Sequence, residues 1–209
     1  SLLALLSFGG SVVIQWVLTP LEVGKYTLIM ALATMIGPLA AWGQGGQIIR
    51  LYGRERPGTF NWPNDISRIM AVALVTDALL CLAVYRAYGV LSALEVAVIG
   101  LLSALLTLIG LIVTVLRPHR QYVSSAALLR MPFAMSIAVG PIVHFLSIER
   151  LDMVLVGTAL AFLVVGILAL AVAYSGVPVG PRILSREERL EGTVYELWTI
   201  SDMVGGYGE

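Results

Sequence analysis

Charge is what this sequence has least of. Only 12% of its 209 residues are charged and 58% are hydrophobic, where a soluble domain carries about a quarter charged residues. That is too little charge to cover a water-facing surface, and the mean hydropathy of +0.91 agrees. Thirteen basic and thirteen acidic residues cancel, so no net field directs the chain to nucleic acid. A single cysteine, Cys81, excludes an internal disulfide and any multi-cysteine metal site. Lying inside an apolar run, it reads as a packing residue. There are two histidines, His119 and His144, and no phosphate-binding loop, nucleophile elbow or paired-histidine metal motif. Without clustered His, Asp or Glu the chain does not read as an enzyme, and no cofactor is called for.

What it has instead is long apolar runs. Six of them, at about 1–18, 26–49, 69–87, 91–116, 121–147 and 153–175, approach the roughly 20 residues that cross about 30 Å of hydrocarbon as a helix. Lipid cannot satisfy open backbone groups, so each run is expected to be helical. The fold class is therefore all-α, a membrane bundle of about six helices over 1–175. Residues 176–209 read as a cytoplasmic linker and the start of the next segment. The chain opens at Ser1 on an apolar run and stops in a Gly-rich stretch, which reads as the front half of a larger protein.

Basic residues sort by side. The turns after the second, fourth and sixth runs hold Arg50, Arg54, Arg56, Arg68, Arg117, Arg120, Arg182, Arg186 and Arg189, and the opposite turns only Lys25, Arg86 and Arg150. Because Arg and Lys stay on the cytoplasmic side during insertion, this alternation puts the start of the first run in the cytoplasm. Pro38, Pro132 and Pro141 fall inside the runs, where a missing N–H kinks a helix. The frequent glycines, such as Gly37 and Gly157, suit close helix packing.

Two charges lie deep in the runs, Asp77 and Arg130. A charge at the bilayer centre costs about 2.5–3.5 kcal/mol even on insertion scales, so it meets a partner or a watery cavity. The two are expected at matching depth, either as a structural ion pair or as cavity lining that contacts an anionic substrate or couples to an ion. Glu95, in the first turn of the fourth run, is expected to be hydrated near the outer surface. Gln15, Gln44 and Gln47 either bond across helices or line a polar path; Gln44 and Gln47, one turn apart and leading to Arg50, suit the inner rim of a cavity.

Residues 18–26, Leu-Thr-Pro-Leu-Glu-Val-Gly-Lys-Tyr, and 40–50, Ala-Ala-Trp-Gly-Gln-Gly-Gly-Gln-Ile-Ile-Arg, resemble the polysaccharide flippases. These are the O-antigen and exopolysaccharide exporters related to the multidrug and toxin extrusion proteins. Glu22, Gly24, Tyr26, Gly43 and Arg50 carry the likeness, and Leu116 to Tyr122 looks like the family's basic turn. The polar stretch at 191–209 departs from it, since a seventh helix should begin there. The resemblance implies one lobe of a two-lobe transporter in the cytoplasmic membrane, with a second lobe following. It implies alternating access for a polyprenyl diphosphate-linked oligosaccharide, assisted by an H+ or Na+ gradient. Arg130, Asp77, Gln44, Gln47 and Arg50 become the expected substrate-binding set. The alternatives are a drug/cation antiporter of the related class and a non-catalytic membrane subunit of glycan assembly.

Overall fold

The structure, a computed structural model, describes residues 12, 16–145, 151–191 and 194. Within them the chain is an all-α bundle with elements α1 (Pro20–Ala40), α2 (Gln44–Tyr52), α3 (Trp62–Ala87), α4 (Ala93–Leu116), α5 (Tyr122–Phe145) and α6 (Leu151–Gly176). All but the short α2 are long and apolar enough to cross a membrane. The first expected span, with Gln15, falls almost wholly outside the described residues.

Local chemistry sets the helix starts. Thr19 and Glu22 form a capping box with Pro20 in the first turn, so α1 begins six residues before the apolar run and absorbs what reads in the sequence as a turn. Ser92 and Glu95 repeat the device at α4, the Ser92 N–H donating to Glu95 Oε2 at 2.6 Å. Asn61 caps α3, accepting from the Asn64 N–H at 3.3 Å. The expected 50–68 loop is therefore shorter, because Trp62 already starts the helix.

The larger departure is in the second run. A single helix over 26–49 is expected, but α1 stops at Ala40 and α2 restarts at Gln44. Trp42 (φ 48°) and Gly43 (φ 67°) are both left-handed, which no α-helix tolerates in succession. Gly43 adopts that conformation without a Cβ penalty, and an apolar run carries no mark of it in its hydropathy.

Helix α4 is the axis of the bundle: α1, α2, α3, α5 and α6 all pack on it. Its buried residues join two apolar clusters stacked along the axis, one around Ile29, Ile99, Leu102 and Phe162, the other around Ile48, Trp62, Ile112 and Val165. Outward-facing rows such as Val72, Val75, Leu79 and Leu82 on α3, and Val156, Leu160, Leu163 and Ile167 on α6, remain exposed. Apolar side chains inside and outside alike are what a bundle solvated by lipid requires.

Candidate functional site at the basic end

One end of the bundle gathers the arginines. After α6 the chain turns back over residues 177–191 and docks as a strap on the segment between α2 and α3. The Gly180 N–H donates to the Phe60 carbonyl at 2.8 Å, Arg182 N–H to Thr59 O at 3.1 Å, and Asn61 N–H to Arg182 O at 2.5 Å. A Cβ on Gly180 would run into the Gly58 carbonyl oxygen, so only glycine permits this approach. Arg182 lies over the Phe60 ring, 4.9 Å from its centroid, and pairs with Glu55 at 3.1 Å and Glu188 at 2.6 Å. Tyr52 and Phe60 stack with centroids 4.4 Å apart.

At the centre of this layer is Asp65, fully buried in the first turn of α3. Its carboxylate accepts from Tyr52 Oη at 2.8 Å and from the Leu184 N–H at 2.9 Å, tying α2, α3 and the strap to one side chain. Burial, then the Asp65 charge beside it, push the Tyr52 hydroxyl well above the ordinary tyrosine range, so it remains a donor. Trp62, also buried, donates from Nε1 to Val177 O at 3.4 Å. Neither Asp65 nor Trp62 stands out in the sequence as a site residue; the only signal was an acidic residue in a helix's first turn, which ordinarily reads as a dipole contact.

The expected site residues separate into three places. Gln44, Gln47 and Arg50 share one face of α2 and grip the strap: Gln44 Nε2 donates to Arg189 O at 2.9 Å, Gln47 Nε2 to Glu188 O at 2.7 Å, and Arg50 pairs with Glu191 at 3.3 Å. Gln44 also lines a cavity of about 470 Å³ between the α1–α2 joint, α3 and the strap, with Trp42, Arg68, Val72, Arg186 and Arg189 among its walls. Asp77 is buried ten residues from the far end of α3, roughly 15 Å along the helix and so near mid-membrane. It accepts from Ser103 Oγ on α4 and is 4.0 Å from Cys81 Sγ one turn on.

Arg130 lies on α5, exposed, with contacts of its own. The expected Asp77–Arg130 ion pair is not formed. Helix α3 packs on α1 and α4, and α5 on α4 and α6, so the axial helix stands between the two side chains. Equal depth does not make equal faces. Asp77 instead uses a hydroxyl, which satisfies a buried carboxyl oxygen without a second charge.

The opposite end corrects the reading of Glu95. It is buried, and it bonds both its own cap and Lys25 Nζ, 3.2 Å away on α1. Glu22 reaches across to the Leu151 N–H at 3.4 Å, and Tyr26 Oη to Thr158 Oγ1 at 3.5 Å, so α1 is stitched to α6 as well.

These features define an all-α, multi-pass membrane bundle with a closed, arginine-rich layer at one end. No family model, curated protein or solved structure matches the chain.

Proposed function

We propose that the chain is one lobe of a membrane transporter in the cytoplasmic membrane that moves a polyprenyl diphosphate-linked oligosaccharide by alternating access. The observation that carries the reading is the broken second segment: α1 and α2 part at Trp42–Gly43 beside a cavity edged by Arg68, Arg186 and Arg189. The break comes where α1 has completed its crossing, so it turns the chain at the membrane edge and sets the cavity's arginines at headgroup depth. Arginine is the side chain suited to phosphate oxygens, through its planar fork. The likeness of residues 18–26 and 40–50 to the polysaccharide flippases points the same way, and it extends over the residues that form the break.

In this reading Arg68 and the strap arginines receive the diphosphate at the cytoplasmic side, and Arg130 contacts substrate from α5. Transport by the full-length protein in liposomes, with a fluorescent polyprenyl diphosphate oligosaccharide, tests it. Protection of the label from an impermeant quencher should change with time in protein-containing vesicles only. One observation favours the antiporter alternative: among the described residues Asp77, buried near mid-membrane, has neutral hydrogen-bond partners, Ser103 and Cys81, which suits a carboxyl that exchanges a cation or proton. Vesicles that extrude an organic cation under a proton gradient and leave the labelled lipid in place would decide for it. Vesicles that move neither would leave a non-catalytic subunit of glycan assembly.

A further inference from the structure

We infer that the cavity between the α1–α2 joint, α3 and residues 186–190 holds the phosphate headgroup of an anionic membrane lipid. The cavity is the one where the transport reading places the diphosphate, so the inference rests on that reading's choice of site and deepens it; lipid retention is measured without transport, so the two can fail separately. Three observations meet here, beginning with depth. Arg68 lies nineteen residues from Ala87 at the other end of α3, roughly 28 Å along the helix, so it sits at the edge of a hydrocarbon layer of about 30 Å. Helix α1, 21 residues long, likewise runs out at that edge, where Ala41 and Trp42 enter the cavity wall.

The second observation is charge. Arg68, Arg186 and Arg189 line the cavity, and no acidic residue does. Two other cations of the layer are tied to acids, Arg182 to Glu55 and Glu188 and Arg50 to Glu191. Arg68 and Arg186 make no ion pair within 4 Å among the described residues, Arg68 meeting only the more distant charge of Asp65, and both line the cavity. A basic pocket beside membrane helices on this face is the form that lipid headgroup recognition takes.

The third is polarity order, and it selects a lipid over a free phosphate. Val72 is one turn deeper than Arg68 on the same face of α3 and lines the same cavity, as do Ile69, Ala41 and Leu190. Val72 is 59% exposed, so this apolar wall opens outward. Cations at the membrane edge with an open apolar wall one turn inward reproduce the order of a phospholipid, phosphate first and acyl chain below. A free anion would have no use for the wall.

Native mass spectrometry of the full-length protein, released from nanodiscs of phosphatidylcholine doped with phosphatidic acid, reads the bound lipid directly. The wild type should carry one phosphatidic acid through delipidation, in preference to phosphatidylcholine. The double variant Arg68→Gln with Arg186→Gln should retain roughly tenfold less, as two charge-assisted contacts are removed. Val72→Trp, which fills the apolar wall and leaves every charge in place, should also lose the lipid while keeping the wild type's helical circular dichroism. Equal retention by the arginine variant would overturn the site. Loss in the arginine variant, with Val72→Trp unaffected and millimolar inorganic phosphate displacing the lipid, would overturn the lipid and leave an anion cradle.

Discussion

The two ends of the bundle solve the same problem in opposite ways. At one end the starts of α1 and α4 close on capping boxes, and two acids are used twice: Glu95 caps α4 and pairs with Lys25, Glu22 caps α1 and meets the start of α6. At the other end two long segments, 53–61 and 177–191, are folded onto each other around one buried carboxylate, Asp65. There, among the described residues, the cations outnumber the acids. Retention of basic residues on one side during insertion accounts for an excess of arginine at this end, and its meeting with a cavity at Arg68 and Arg186 is what makes the basic end the candidate site.

Substitutions at the two ends should differ in size accordingly. The largest effect is expected from Asp65→Ala, which leaves the Tyr52 hydroxyl and the Leu184 N–H buried without an acceptor, at roughly 2–4 kcal/mol. Denaturation of the purified protein in mixed detergent micelles would measure it. A loss no greater than that of Glu95→Ala would erase the distinction drawn here. Next comes Gly43→Val, which places a β-branched residue at φ 67°; it should cost about 1–3 kcal/mol and favour a straight α1–α2 helix, read as altered protease cleavage near residue 42. Glu95→Ala should cost about 1 kcal/mol, because the cap is lost but Lys25 is partly solvated and can return to water.

The smallest effect concerns acid. The Ser185 N–H, and after it Arg182, hold the Glu188 carboxyl below its ordinary range. A depressed acid stabilises the folded form above its unfolded pKa, near 4.5, and that contribution fades as pH falls through the lower folded value. The strap's hydrogen-exchange protection, corrected for the intrinsic exchange rate at each pH, should therefore fall below about pH 4.5 in the wild type, and the acid dependence should be weaker in Glu188→Gln.

The fold was legible where hydropathy governs. Runs at 91–116, 121–147 and 153–175 became α4, α5 and α6 within a few residues, because an apolar helix in lipid is bounded by its own composition. The break at Trp42–Gly43 was hidden for the same reason: a left-handed pair changes backbone direction and leaves hydropathy untouched. At the site, Gln44, Gln47 and Arg50 were legible as one polar face, but their partners lie some 140 residues away in the strap, and no local pattern announces that contact. Asp77 and Arg130 were legible as costly charges. Their separation was not, since depth follows from counting residues whereas azimuth around the bundle follows only from packing on α4.

The central claim, that the arginine-rich layer closes the cytoplasmic end of a membrane-spanning bundle, is tested most directly by accessibility in intact cells. In a Cys81→Ser background of the full-length protein, single cysteines would replace Leu21 at the start of α1, and Pro57 and Glu187 in the basic layer, all three exposed. With an impermeant maleimide, Leu21→Cys should be labelled in intact cells, while Pro57→Cys and Glu187→Cys should react only once the membrane is opened. Labelling of the two basic-end positions from outside, with Leu21→Cys protected, would contradict the orientation and the diphosphate route that depends on it.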